Sequence, residues 1–398
     1  MRNVTGLLSS VSGLMLAGLV GCGDSGSSSP SAQTGSGGDS AMTGGGDRMS
    51  GTAGTGNGTA GTDGSGGAAQ GGSNGAGGAN ASGGSNGAGG GAMTDASTAP
   101  DAKLIIPSDG GSGKIKNVFI VLEENHSWAQ VNTLPYITHL QQLGAHSEQY
   151  WNPKSTHPSE PNYIWLEAAK NFCLSGTNPC STNDDDPTKN LVKGAVHLSK
   201  LLDAAGVSWT SYQESMTAGQ CPISSGGGYA AKHNPFVFFD DVVGDPPSKT
   251  NASCIMHHKP FSAFLGDLKA GNVARYNFIT PNQDHDMHDG TPAAADAWLQ
   301  MYIDPIINPQ SPNHNPQIYA QSAVIVTWDE SSGGDGPIGM IIVSPFAKVG
   351  YKDTKGADYY YTHSSMVLTL QKIFGVAGTP IADAANAKDL SDMFTAFP

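Results

Sequence analysis

Three short stretches of this 398-residue sequence gather side chains that hold cations and move protons. Glu123-Glu124-Asn125-His126 follows one apolar run. Pro281-Asn282-Gln283-Asp284-His285-Asp286-Met287-His288-Asp289-Gly290 follows a second, and Trp328-Asp329-Glu330 follows a third. Acids brought together at that density repel one another strongly unless a divalent cation neutralises them. Oxygen ligands from Glu, Asn and Asp suit a hard or borderline cation such as Mg, Mn, Ca or Zn. Each acid taken singly is explained as well by a solvated loop; the three clusters together point to a cation.

A fourth stretch supplies a hydroxyl. In Ser155-Thr156-His157-Pro158-Ser159-Glu160-Pro161-Asn162-Tyr163, Pro161 is comfortable in the first turn of a helix that Asn162 to Ala169 can continue. Ser159 then falls at or near the N-cap, where backbone N–H groups and the helix dipole favour an anion. A serine there can be a simple cap. Beside a divalent cation it becomes more, because its proton is lost easily and the same cation can hold a phosphoryl group for attack.

The elements that must position these groups are legible as alternating patterns. Val118 to Leu122, Ala323 to Thr327 and Met340 to Val343 are continuous apolar runs of strand length, with Tyr276 to Thr280 a weaker one. Such runs are expected of strands buried on both faces. Leu198, Leu201, Leu202 and Ala205 recur at helical spacing and stop at Gly206 before a strand-like Val207 to Tyr212. Met366, Val367, Leu370, Ile373 and Phe374 do the same and stop at Gly375. The expectation is an α/β fold with a mostly parallel central sheet flanked by helices on both faces. Ligands bind at the carboxyl ends of strands in such sheets, which is where the acidic clusters fall.

These motifs carry a resemblance. Glu124-Asn125-His126-Ser127, His157 to Tyr163, Asp286-Met287-His288-Asp289-Gly290 and Trp328-Asp329-Glu330 occur in the order seen in the bacterial phosphoesterase family, which contains acid phosphatases, phosphatidylinositol-phosphate phosphatases and phospholipases C. Lys232-His233-Asn234-Pro235-Phe236 and Thr362-His363-Ser364-Ser365 agree with it. The similarity spans about residues 115–375. It implies an alkaline-phosphatase-like fold and a phosphoserine route. By position, Glu124, Asn125, Ser159, Asp329 and Glu330 match the family's metal ligands, with Ser159 also the nucleophile. Asn162 would bind a phosphate oxygen, and His233 and His363 would line the phosphate pocket. His288, oriented by Asp286 or Asp289, is the expected acid for the leaving alkoxide. His126 and His157 are adjacent candidates.

The first motif continues Glu124-Asn125-His126-Ser127-Trp128, where the phospholipase branch usually has Glu-Asn-Arg-Ser-Phe-Asp, and the chain ends about 23 residues after Gly375. Both features resemble the acid-phosphatase branch, so a phosphomonoester is the expected substrate. A phosphodiesterase or phospholipase C, and a surface binding lipoprotein without catalysis, are the alternatives. Ser331-Ser332 rather than a further His after Glu330 argues for one cation only.

Composition divides the chain. Residues 1–22 have a positive start at Arg2 and a short apolar stretch ending Leu19-Val20-Gly21-Cys22, which resembles a bacterial lipoprotein signal with Cys22 as the lipidated residue. Residues 23–102 form a Gly/Ser/Ala-rich tether. Between Gly23 and Pro100 lie 27 of the 54 glycines and, apart from three Met, no large apolar side chain, so this stretch has too little apolar surface to offset chain entropy. A coil of that length spans on the order of 50 Å. Its two Gly-x-Ser-x-Gly matches, at Ser73 and Ser85, lack the flanking strand and helix of a nucleophile elbow. Residues 103–398 are the expected catalytic domain.

The whole chain has net charge −14. That excess of acid, with no Lys/Arg run, opposes nucleic acid binding. Removing Cys22 leaves Cys173, Cys180, Cys221 and Cys254, an even set suited to two disulfides in an oxidising compartment. Spacing suggests Cys173–Cys180 as a local staple and Cys221–Cys254 as the second bond, though other pairings are open. The expectation is an exported, lipid-anchored or periplasmic protein that touches a membrane through its anchor alone.

Overall fold

The apolar run at the first motif becomes a strand buried along its whole length, β1 (Asn117–Glu123), because both its faces are covered. The computed structural model describes residues 114–172, 184–354 and 359–398. The leader with Cys22, the tether, Cys173 and Cys180 lie outside the described residues. The other strands are β2 (Ala145–Ser147), β3 (Tyr150–Trp151), β4 (Trp209–Gln213), β5 (His258–Pro260), β6 (Tyr276–Thr280), β7 (Ser322–Trp328), β8 (Met340–Val343), β9 (Lys352–Asp353) and β10 (Tyr361–Thr362). Eight of them form one sheet in the order β5-β4-β6-β1-β7-β8-β2-β9, and β10 pairs with β3 separately.

The pairings β5-β4, β4-β6, β6-β1 and β1-β7 are all parallel. Their register aligns Val121 of β1 with Ile279 of β6 and Glu123 with Trp328 of β7, so the carboxyl ends of three strands share one edge. The β8 strand departs from that pattern. It runs antiparallel to β7, since the short connection after Trp328 is a hairpin return rather than a crossover helix. Its beginning, not its end, therefore lies at this edge.

Helices cover both faces. Register puts Phe119 and Phe278 on opposite sides of the sheet. Phe119 packs edge-on to Phe264 of the Phe264–Ala270 helix, at 6.1 Å between ring centres. Phe278 packs against Tyr163 of the Ser159–Ala168 helix, at 6.3 Å. The expected helix after Leu198 spans Leu198–Ala204 and is followed by Gly206 at φ 67°. The helix around Met366 begins at His363, where Thr362 caps it by accepting the Ser364 N–H. Among the described residues no helix is long and apolar enough to cross a membrane.

Candidate active site

Three strand ends and one helix start meet at the shared edge. The backbone turns left-handed at Asn125 (φ 47°), immediately after β1, a conformation Asn tolerates better than most residues. There the Asn125 N–H donates to Asp329 Oδ1 over 2.9 Å, tying the ends of β1 and β7 together. The Glu124 N–H donates to the Asp286 carbonyl at 2.7 Å and brings in the loop after β6. Ser159 is the first residue of its helix, and its Oγ donates to Glu124 Oε2 over 2.9 Å. Glu124, Asn125, Ser159, Asp286 and Asp329 are thus brought together from four separate parts of the chain.

The electrostatics of this group are unbalanced. Glu124 Oε1, Asp286 Oδ2 and Asp329 Oδ2 are buried without hydrogen-bond partners, as are both ring nitrogens of His233. Burial, then the charges of Asp329 and Asp286, push the Glu124 carboxyl far above the usual range. Burial and the Glu330 charge do the same to Asp329, and burial raises Asp286 to about 7. Orphaned carboxylate oxygens beside free imidazole nitrogens are what a divalent cation satisfies, so these residues fit one. One ligand atom each from Glu124, His233 and His288 lies within 4.8 Å of the others.

The histidines sort into different tasks. The His233 ring is buried and stacks on Tyr163 at 5.0 Å, with Nε2 3.4 Å from Glu124 Oε1 and Nδ1 3.2 Å from Asp286 Oδ2. Burial, followed by the Lys232 and His288 charges, holds it well below the normal imidazole range, so it is a neutral donor set. His288 points Nδ1 at Asp289 Oδ1 (2.8 Å), and its own N–H donates to Asp286 Oδ1 at 2.8 Å. Its Nε2 is 3.2 Å from Lys232 Nζ. An ammonium can only donate, so Nε2 accepts and the proton of the neutral ring sits on Nδ1, facing Asp289.

Three expected roles do not fit the contacts. His363 was expected in a phosphate pocket, yet its Nε2 donates to the Asp329 carbonyl at 2.7 Å and its Nδ1 meets the Tyr150 hydroxyl at 3.1 Å. Both nitrogens are spent, burial lowers the ring to about 4, and His363 holds the Asp329 backbone. Asn162 spends its amide on the Thr156 and Pro158 carbonyls and on Glu330 Oε2, leaving no N–H for a phosphate oxygen. Glu330 in turn gives Oε2 to His157 Nδ1 at 2.5 Å, which draws it away from the expected ligand set. That contact, ahead of all else, raises His157 to about 9. Among the described residues His126 reaches the Glu124 carbonyl alone, at 3.0 Å.

Lys232 and Asp184 are the site residues that sequence reasoning gave no role. Asp184 accepts from the Glu160 N–H at 3.0 Å, in the first turn of the Ser159 helix, and from Lys232 Nζ at 2.7 Å. A carboxylate therefore occupies the helix start where a phosphoryl group was expected. Burial lowers the Lys232 ammonium, but the Asp184 ion pair and more distant acids leave it above its ordinary value. The available signal was Lys232 lying directly before His233 in a shared motif.

This chain is similar to known phosphatases. The phosphatidylinositol-3-phosphatase of Mycobacterium tuberculosis is 32% identical over 284 residues, covering 70% of this chain and 82% of that protein. A probable acid phosphatase of Kluyveromyces lactis is 28% identical over 288 residues, covering 70% of this chain and 62% of the yeast protein. The chain spans half the length of a phosphate-repressible acid phosphatase of Penicillium chrysogenum, at 29% identity over 56% of this chain. Among solved structures, a protein in the alkaline phosphatase superfamily from Vibrio parahaemolyticus aligns over 71% of each chain at 14% identity, with a TM-score of 0.45. The profile of the phosphoesterase family matches residues 130–377, and with that span and these relatives the chain belongs to the phosphoesterase family, a hydrolase of phosphoric ester bonds.

Proposed function

We propose that this edge hydrolyses phosphomonoesters in two steps, with Ser159 as nucleophile and a divalent cation as a required component. The observation that carries the reading is the Ser159 Oγ to Glu124 Oε2 contact among orphaned buried carboxylates, at the first turn of a helix. When bound, the cation would be held by Glu124, Asn125 and Asp329 with His233 at hand, and it supplies positive charge that favours loss of the hydroxyl proton and charge on the phosphoryl oxygens.

In the first step the Ser159 Oγ–P bond forms and the ester P–O bond breaks, with Glu124 Oε2 taking the serine proton. The Lys232–His288 pair serves the leaving group. A proton passed from Nζ to Nε2 makes an imidazolium whose Nε2–H protonates the departing alkoxide, while Asp289 keeps the Nδ1–H. In the second step water attacks phosphorus, Nε2 accepts its proton and returns it to Lys232 Nζ, and Ser159 recovers its own from Glu124 as phosphate leaves. The entering phosphate competes with Asp184 for the Glu160 N–H and for Lys232, so both of those donors are transferred from carboxylate to substrate.

Ser159→Ala assayed on p-nitrophenyl phosphate is expected to lose at least about 10³-fold in kcat. Turnover near that of the unaltered protein overturns the nucleophile. Acid-quenched protein should carry a phosphoryl group on Ser159. Exhaustive chelation should abolish activity, and re-addition of Mg, Mn, Ca or Zn singly identifies the ion; activity that survives chelation removes the cation from the reading. Bis-p-nitrophenyl phosphate and phosphatidylcholine test for a diesterase or a phospholipase C.

The Cys221–Cys254 bond favours an oxidising, extracytoplasmic location. With Cys22 lipidated, residues 23–102 would hold the body off a membrane within reach of small phosphorylated substrates. Cys22→Ser should then move the protein from the membrane to the soluble fraction.

A further inference from the structure

Lys154 and Lys170, from either side of the Ser159–Ala168 helix, and Lys388, far along the chain, line one cavity of about 830 Å³, together with Trp165, Tyr359 and Tyr360. That volume lies within the usual range for small-molecule sites. Several lysines of this protein are paired with acids. Lys189, Lys232, Lys259 and Lys352 each sit within 2.8 Å of a carboxylate oxygen. Among the described residues none of the three cavity lysines has such a partner. Lys154 lies over the Tyr359 ring of the wall at 5.9 Å, and Lys170 over the ring of Phe172, which is outside this lining, at 4.5 Å. The acid in the wall, Asp383, accepts from Ser364 at 2.7 Å and from Asn386 at 3.4 Å. On a chain of net charge −14, three uncompensated cations around one aromatic-walled cavity are a local inversion of the protein's field.

The cavity is also wired to the catalytic edge. The Tyr359 hydroxyl donates to Asp335 Oδ2 at 2.7 Å, and Asp335 Oδ1 holds His157 Nε2 at 2.9 Å. His157 holds Glu330, which meets the Asn162 amide at 3.1 Å. Trp165 lies on the same helix as Ser159, six residues further on, or about 9 Å along its axis.

We propose that this cavity is a second, non-catalytic binding site for a soluble phosphorylated small molecule, its phosphates held by Lys154, Lys170 and Lys388 and its remaining body against Trp165 and the tyrosines. It is separate from the site at Ser159 and does not depend on the hydrolytic reading.

Titration calorimetry of the full chain with methylenediphosphonate, which phosphatases do not cleave, tests the proposal. Two molecules are expected per chain, one in each site. The triple substitution K154Q/K170Q/K388Q should leave one, with circular dichroism unchanged and kcat on p-nitrophenyl phosphate preserved. K154R/K170R/K388R, which keeps the charges, should retain two and separates loss of binding from loss of fold. Affinity at the second site should fall steeply as salt is raised. A count of bound molecules that the glutamine variant leaves unchanged overturns the proposal; one in the unaltered protein and none in the glutamine variant upholds it and counts against the Ser159 site instead. Phosphatidylcholine vesicles with and without a phosphorylated inositol lipid form the other arm. Lysine-dependent retention on the inositol-lipid vesicles, with no second methylenediphosphonate bound, would overturn the soluble ligand in favour of a headgroup.

Discussion

Lys232 Nζ stands 3.2 Å from Nε2 of His288, and this contact fixes where the imidazole keeps its proton. With Nδ1–H turned to Asp289 and Nε2 receiving from the ammonium, both ring nitrogens of His288 are engaged, and the proposed mechanism uses lysine and histidine as one proton donor. Two residues that look independent in the sequence, 56 positions apart, are direct neighbours.

That coupling separates charge from proton supply. Lys232→Met should lower kcat/KM by about 10²-fold. Lys232→Arg keeps a cation but holds its proton too tightly to give it up, so KM should recover while kcat does not. Steady-state kinetics across pH check the split; equal recovery of both constants by the arginine would restrict Lys232 to binding phosphate.

The buried carboxylates trade stability for function. Glu124 is held far above its ordinary range by burial and by neighbouring acids. Glu124→Gln removes that cost while still offering an oxygen to Ser159. In chelated protein it should add about 1–3 kcal/mol of stability, read as a higher Tm, and abolish turnover. A lower Tm would show that the carboxylate is already compensated.

Acid sensitivity should come partly from His258. Burial lowers its ring from 6.5 to about 4, while Nδ1 contacts the Cys254 carbonyl at 2.7 Å. Between those values the unfolded chain binds a proton that the folded one refuses, so stability is full above pH 6.5 and is lost as pH falls through the folded value. The loss amounts to about 3 kcal/mol. His258→Gln should flatten urea-unfolding free energies between pH 6.5 and 4; an unchanged slope would assign the acid limb to other groups.

The Cys221–Cys254 bond closes a separation of 33 residues and fastens the segment after β4 to the Ala252–His257 helix. Chain-entropy arguments give such a loop about 4 kcal/mol. Cys221→Ser with Cys254→Ser should lose most of that in denaturant titrations, with activity per folded molecule retained.

The strands were legible because burial on both faces leaves a local trace: an unbroken apolar run such as Val118 to Leu122 permits little else. Tyr276 to Thr280 and Met340 to Val343 fall within the same bounds in sequence and structure. The acids after those runs were legible as a cluster for a related reason, since parallel strands must deliver their ends to one edge. Their partners were not. Whether Glu330 faces the Ser159 hydroxyl or turns to His157, and whether His363 meets substrate or the Asp329 carbonyl, depends on side chains more than 30 positions away.

The sequence by itself determined the α/β layering, the edge at which chemistry gathers, and the acid-rich composition, because periodicity and residue type act over a few neighbouring positions. Only the tertiary structure decided the antiparallel course of β8, the contact between Lys232 and His288, and the meeting of Lys154, Lys170 and Lys388 around one cavity. Hydrogen bonds and charge pairs act over about 3 Å in space, a distance that says nothing about separation along the chain.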